Sequence, residues 1–321
     1  MNFDFFSDIR YELGIVEEEL KQAVQASNQL LTDTATHLIN AGGKRLRPAF
    51  CLLGGKFYNF DLDKLLPLAV ALELIHMATL VHDDVVDSSL TRRGMPTVKA
   101  RWGNKISSHV GDYLLGKSLI LISRYKEPLI PKVLAETSVK MCEGEIIQIS
   151  SAFDADQNIK DYFYRINRKT ALLIAASAQL GAVACGAPAG VHQGLRRFGH
   201  NIGMAFQITD DILDMTAEQI KLGKPVGSDL RQGIITLPTI YSLQKSPNRN
   251  RLRALIAKKS KTEEEINEAI FLIKEGGGIQ HSSEIVQKYI VKAKKELNAL
   301  PDVPIKKTMQ IISDFVGVRK F

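Results

Sequence analysis

Two short acidic stretches restrict what this chain can fold into more than any other feature of its sequence. Asp83-Asp84-Val85-Val86-Asp87 and Asp210-Asp211-Ile212-Leu213-Asp214 repeat the pattern D-D-x-x-D, and each closes a long, largely apolar run. In a helix, side chains four apart lie one turn apart on the same face, so Asp83 projects with Asp87 and Asp210 with Asp214. Carboxylates crowded at the end of an apolar wall are costly unless positive charge compensates them. The two stretches lie far apart in the chain, so only the fold can bring them together.

The surrounding sequence has helical periodicity and no convincing alternating strand segment. Ile15 to Leu31 carries Val16, Leu20, Ala23, Val24, Leu30 and Leu31 among acidic and amide residues, the pattern of one amphipathic helix. Leu65 to Val86, Val133 to Ile149, Thr170 to Ala184 and Leu195 to Met215 are further helices. Breaks fall at Gly42-Gly43, Gly54-Gly55, Gly94-x-Pro96, Gly186-x-Pro188, Lys224-Pro225 and Gly276-Gly277-Gly278. With 321 residues, 45% of them apolar and 24% charged, the chain can bury a core without disulfide or metal staples. The polar stretch Lys245 to Glu265 suits exposed helix ends and a loop, and no linker divides the chain. The expected fold is therefore a single all-α domain over residues 1–321.

Composition also sets aside several classes of protein. Ala171 to Leu195 lacks Asp, Glu, Lys and Arg, but Ser177, Gln179, Gly181, Gly186, Pro188 and His192 interrupt it. It reads as a buried helix followed by a loop, and no transmembrane segment is expected. The first residues show neither a basic nor an apolar leader segment. Cys51, Cys142 and Cys185 are odd in number and lack metal-ligand spacing, which fits reduced thiols and a cytoplasmic location. The net charge is +7, gathered at Lys44-Arg45-x-Arg47, Arg92-Arg93 and Arg168-Lys169. No Lys/Arg run interleaved with aromatics is present, so small phosphate-bearing ligands fit better than nucleic acid.

The acidic clusters favour a hard cation, magnesium over zinc, and His82 alone would not make a zinc site. Magnesium keeps waters and bridges carboxylates to phosphate oxygens. Two such walls facing each other would hold a diphosphate through several ions. Gly42-Gly43-Lys44-Arg45-Leu46-Arg47-Pro48 supplies three cations on a flexible turn, suited to a second diphosphate without metal. His76 precedes Asp83 by two turns and shares its face, and Lys169, Thr170 and Gln207 offer further donors.

Over nearly its whole length the sequence resembles the trans-type isoprenyl diphosphate synthases. The motifs that carry the resemblance are GGKRLRP at 42–48, HDDVVDSSLTRRG at 82–94, GDYLLGKS at 111–118, GEIIQI at 144–149, RKT at 168–170, FQITDDILD at 206–214 and GKPVGSDLRQG at 223–233. ELIHMATLVHDDVVD and the terminal FVGVRKF make the catalytic large subunits (component II) of bacterial heptaprenyl diphosphate synthases the most similar subfamily. The resemblance implies a helical bundle around a central cavity. It implies magnesium at Asp83, Asp84, Asp87, Asp210, Asp211 and Asp214, and isopentenyl diphosphate at Lys44, Arg47, His76 and Arg93. The allylic diphosphate falls to Arg92, Lys169, Thr170, Gln207 and Lys224. Asp83, Asp84, Asp87, Arg92, Lys169, Asp210 and Lys224 would drive ionisation, with the departing diphosphate as the proton acceptor.

Short-chain members place large aromatics near Ala78 and Thr79. Small residues there, with Ile75, Leu72 and the helix of Val139 and Cys142 along the tunnel, imply a long product. Seven isoprene units are favoured within a range of six to eight, for a menaquinone side chain. A homodimer or a small non-catalytic partner subunit is also implied. Ile234 departs from the family, many members of which carry Lys or a polar residue there. Rival readings are a class I terpene cyclase, against which GGKRLRP argues, and a silent regulatory subunit, against which the two intact acidic motifs argue.

Overall fold

A computed structural model describes residues 6–216 and 226–318. A short 3₁₀ turn precedes α1 (Arg10–Ala23), α2 (Gln29–Asn40), α3 (Leu46–Gly55) and α4 (Leu62–Val86). A hairpin follows, then α5 (Val98–Ile122, broken at Gly103) and α6 (Leu129–Ser150). Next, α7 (Ile159–Ile166) runs through a π turn (Asn167–Ala171) into α8 (Leu172–Ala184), with α9 (Ala189–Thr216) after it. The remainder comprises α10 (Ser228–Gln232), α11 (Leu237–Lys245), α12 (Arg249–Ile256), α13 (Glu263–Glu275), α14 (Gly278–Asn298) and α15 (Ile305–Val318). The described residues cluster in two compact units. The first takes in the chain up to Ser138 with Leu173–Gly199 and Glu296–Ile311; the second takes in Val139–Leu172, His200–Lys295 and the chain from Ile312.

The first unit is organised around α4. Every residue from Leu68 to Ile75 is buried, which no one-sided amphipathic helix could achieve, so this helix is enclosed on all sides. Asp61 caps its start by accepting from the Lys64 amide, and Asp87 closes its end. By length and composition α4 could cross a membrane (mean hydropathy 1.7), but 67% of its most apolar stretch is buried inside the protein. That is the environment of a core helix. The run from Ala171 divides as expected: α8 is almost wholly buried, and a turn at Gly186 ends it.

Three details differ from the sequence reading. The segment Ile15 to Leu31 is two helices, with a corner between Val24 and Asn28. Asn28 accepts from the Leu30 amide, and the Thr32 hydroxyl accepts from the Ala26 amide, so local side-chain bonds outcompete a continuous helix there. A two-residue hairpin, Thr91–Arg92 against Met95–Pro96, turns on Arg93 and Gly94, both at positive φ (53° and 76°). Along α6 the buried stripe runs through Ile130, Leu134, Thr137, Met141, Gly144 and Gln148. Val139 and Cys142 lie off that stripe and are exposed, so they do not line a buried tunnel wall.

α3 and α8 meet backbone to backbone. A Cβ on Gly181 would lie 1.9 Å from the Cys51 carbonyl oxygen, and one on Gly54 would lie 2.3 Å from that of Ala178. Gly181→Ala therefore forces the helices apart. It is expected to destabilise the protein by about 1–3 kcal/mol, read as a lowered urea midpoint at unchanged m-value.

Candidate active site

In the first unit the turn after α2 sorts its three cations. Arg45 takes a left-handed conformation (φ 48°) and turns inward. Its guanidinium gives Nε to Glu17 at 2.7 Å, Nη2 to the other Glu17 oxygen at 2.9 Å, Nη1 to Glu73 at 3.1 Å and Nη2 to the Ile39 carbonyl at 3.0 Å. Glu73 is buried on α4, 2% exposed, so this ion pair ties the turn to the core helix. The expectation of three cations facing one ligand is corrected to two, because Arg45 is spent on structure. Lys44 is exposed and Arg47 half-buried.

Arg93 joins them from the hairpin tip. Its guanidinium lies so close over Gly43 that a Cβ there would sit 2.6 Å from Nη1, so any side chain at this position would push the guanidinium aside. His76, one turn beyond Glu73, is only partly exposed. Burial first, then the guanidiniums of Arg47, Arg93, Arg92 and Arg45, hold its imidazole well below the ordinary 6.5. His76 is thus neutral at physiological pH, able to donate or accept without adding charge. Arg47 and Arg93 are thus near enough to His76 to perturb its imidazole, and Arg93 packs against the turn that carries Lys44.

At the end of α4, adjacent residues diverge by about 100° around the helix, and the acids split accordingly. Asp84 is buried and receives a bidentate grip from Arg92, Nη2 at 2.7 Å and Nε at 3.0 Å. Asp83 and Asp87 are half-buried one turn apart. Thr79, one turn below Asp83, gives its hydroxyl to the His76 carbonyl at 2.8 Å, and Ala78 and Ile75 are buried beside it.

In the second unit the other acidic motif is partitioned differently. Asp211 is buried: it accepts from the Tyr162 hydroxyl at 2.6 Å and from Gln207 Nε2 at 2.8 Å. Burial outweighs both bonds and pushes its carboxyl up to about 6. Thr170 donates to Gln207 Oε1 at 2.7 Å, so Thr170, Gln207, Asp211 and Tyr162 form one chain of hydrogen bonds. Asp214 is fully buried and accepts from the Asp229 amide at 3.1 Å, fastening the segment that begins α10. Asp210 alone of the three is half-exposed. Lys169, in the π turn, meets Glu145 at 2.6 Å, and Gly144 lets that turn approach α6. Lys224 lies outside the described residues. Ile234 gives its amide to the Asp229 carbonyl at 2.8 Å, a purely backbone contribution.

Sequence reasoning missed Glu17, Glu73, Glu145 and Tyr162. Each is one acid or phenol among many, and nothing in its local pattern marks a partner. Glu73 carried the only usable signal, a lone acid in an otherwise apolar run.

All the half-exposed ligands in both acidic motifs are oxygens, the donor set of a hard divalent cation. Among the described residues no three His, Cys, Asp or Glu side chains converge into a complete cage.

Residues 28–273 match the family described as polyprenyl synthetase. The chain is 44% identical over 321 residues to heptaprenyl diphosphate synthase component 2 of Bacillus subtilis (strain 168), covering 100% of this chain and 91% of that one. The solved structure of heptaprenyl diphosphate synthase from Staphylococcus aureus superposes with a TM-score of 0.92 at 37% identity, over 97% of this chain and 98% of that one. A polyprenyl synthase from Caulobacter crescentus CB15, solved with calcium and isoprenyl diphosphate, superposes at 0.94 with 32% identity, over 98% and 97%. The chain belongs to the polyprenyl synthetase family: it has the helical fold of those enzymes and is a prenyltransferase.

Two outcomes test this geometry. Arg45→Met strands the buried Glu73 charge and should destabilise the protein by about 3 kcal/mol in urea titrations, with much of that recovered in Arg45→Met/Glu73→Met. His76 binds its proton less tightly folded than unfolded, so its contribution is intact above the unfolded value of 6.5 and is lost as pH falls below it. The stability of the wild type relative to His76→Gln should be flat above pH ~7. It should then fall by up to about 1.4 kcal/mol per pH unit on acidification, followed by urea unfolding across pH.

Proposed function

We propose that the chain is a magnesium-dependent, chain-elongating prenyltransferase. It condenses isopentenyl diphosphate with an allylic diphosphate, farnesyl or longer, and makes a long all-trans polyprenyl diphosphate, heptaprenyl, for the menaquinone side chain. The observation that supports this reading is the packing of Arg93 on Gly43, in the turn that carries Lys44 and Arg47, with His76 close by on the helix that ends in Asp83, Asp84 and Asp87. Cations on this turn would bind one diphosphate directly, and the acidic cluster would bind the other through metal. The cationic turn suits the isopentenyl substrate.

Asp83 and Asp87 in the first unit, and Asp210 in the second, are the carboxylates placed to hold magnesium, with Asp84, Asp211 and Asp214 fixing the backbone that presents them. Magnesium, when bound, supplies positive charge to the departing diphosphate. Arg92 commits Nε and Nη2 to Asp84, which leaves Nη1 to reach an anion. Lys169, held by Glu145, and the Thr170–Gln207 pair add donors for the allylic diphosphate, and the matching position Lys224 completes the set. Fixed donors of this kind stabilise charge as the allylic C–O bond ionises, and the cationic turn holds the isopentenyl double bond in place to attack. The departing diphosphate takes the proton released on condensation.

Ala78 and Thr79 are small residues below the acids, and Thr79 turns its hydroxyl back onto the helix, so these positions of α4 put no aromatic side chain in the way of a growing hydrocarbon. The similarity to component 2 of heptaprenyl diphosphate synthases favours seven units and a second, non-catalytic subunit, with a homodimer as the alternative assembly.

Purified chain with magnesium, farnesyl diphosphate and labelled isopentenyl diphosphate should give a product ladder ending at seven isoprene units. Chelation of the metal and Asp83→Ala should each abolish incorporation. A ladder that stops at three or four units would refute the long-chain assignment.

A further inference from the structure

His37, in the last turn of α2, makes a contact that its own helix does not require. One ring nitrogen, Nε2, lies 2.8 Å from the carbonyl oxygen of Pro96 in the hairpin, 59 residues on. The other, Nδ1, lies 3.2 Å from Arg101 Nη1 on α5. A guanidinium can only donate and a carbonyl can only accept, so the ring carries its proton on Nε2 and gives it to Pro96. Trp102 meets the ring edge-on, with centroids 5.3 Å apart, and the Arg101 guanidinium lies over Trp102 at 4.7 Å. Neighbours on α5 therefore fix both the tautomer and the plane of the imidazole.

The hairpin that His37 holds has two residues in each strand, too few to keep its shape unaided. Other bonds join it to α4, through Arg92 and Asp84, and close its base, where Thr97 gives its amide to Leu90 and its hydroxyl to Ser89. The bond from His37 joins it to α2, whose last turn leads directly into Gly42-Gly43-Lys44. The same two segments meet again where the Arg93 guanidinium lies over Gly43. α2 is stiff over that short distance, so the hydrogen bond at His37 sets how the hairpin tip sits over the glycine turn.

We infer that His37 is a positioning residue for the isopentenyl diphosphate site: its bond to Pro96 holds the hairpin against α2 and so keeps Arg93 on the turn that carries Lys44. This inference rests on the functional reading above, in which Arg93 binds isopentenyl diphosphate. Without the bond, the hairpin keeps its ties to α4 but Arg93 is no longer held over Gly43. The site then loses a guanidinium although every ligand-binding residue is intact.

The test is isothermal titration of isopentenyl diphosphate into wild type, His37→Leu, His37→Gln, Arg93→Gln and His37→Leu/Arg93→Gln, with urea midpoints read alongside. His37→Leu is expected to weaken binding about tenfold, as the loss of one charge-assisted contact does. His37→Gln, whose amide N–H reaches the position of Nε2, should bind within about twofold of wild type. The double variant should bind within about twofold of Arg93→Gln, because both changes remove the same contact. A lowered urea midpoint in His37→Leu with unchanged binding means a merely structural role and overturns the inference, while weaker binding in Arg93→Gln leaves the functional reading standing. Losses that multiply in the double variant overturn it too, as does a His37→Gln variant that binds no better than His37→Leu. Wild type that fails to bind isopentenyl diphosphate sinks the functional reading and this inference together. Should His37→Leu fail to fold, His37→Asn, polar but too short to reach Pro96, takes its place with the same expectations.

Discussion

The enclosure of α4 on every side governs how charge is arranged in the first unit. Where a helix has no solvent face, each polar side chain on it must find a partner from another element or be excluded. Between Leu68 and Ile75 only Glu73 is admitted, and Arg45 reaches in from a turn 28 residues away to meet it. The remaining polar groups are displaced to the two ends, Asp63 and Lys64 in the first turn and His76, Thr79, His82 and the three aspartates toward the last. The acidic end of the helix is thus a consequence of how thoroughly its middle is buried.

Both acidic motifs then divide their labour, though not identically. Because neighbours on a helix point about 100° apart, two adjacent aspartates cannot serve the same ligand equally. Asp84 turns inward to Arg92, and Asp211 turns inward to Tyr162 and Gln207. In the first motif two half-buried acids remain a turn apart. In the second, Asp214 is also drawn inside, where it fastens the segment leading into α10. The repeated sequence pattern therefore encodes two local designs, one presenting a pair of carboxylates and one presenting a single carboxylate on a braced backbone.

The helical architecture, the two acidic helix ends and the cationic turn were legible in the sequence, because each depends on periodicity or on spacing along one helix. The corner between Val24 and Asn28 was not, since it has neither glycine nor proline and rests on hydrogen bonds from Asn28 and Thr32. Nor was the separate fate of Arg45. Lys44, Arg45 and Arg47 look equivalent in sequence, and only the positions of Glu17 and Glu73, contributed by other helices, single one out. Tyr162 and Glu145 escaped for the same reason: a partner supplied by tertiary contact leaves no trace in local pattern. The exposure of Val139 and Cys142 was readable after all, from the stripe that passes them by on α6.

The left-handed tip at Arg93 has a practical consequence for attempts to toughen the protein against heat. Glycine and asparagine adopt that backbone conformation more readily than arginine, so the fold alone would prefer either at this position. A screen scored on survival after heating would therefore drift toward replacing Arg93, and would register the change as an improvement. On the proposed function, in which Arg93 binds a diphosphate, the loss would surface only when turnover was measured.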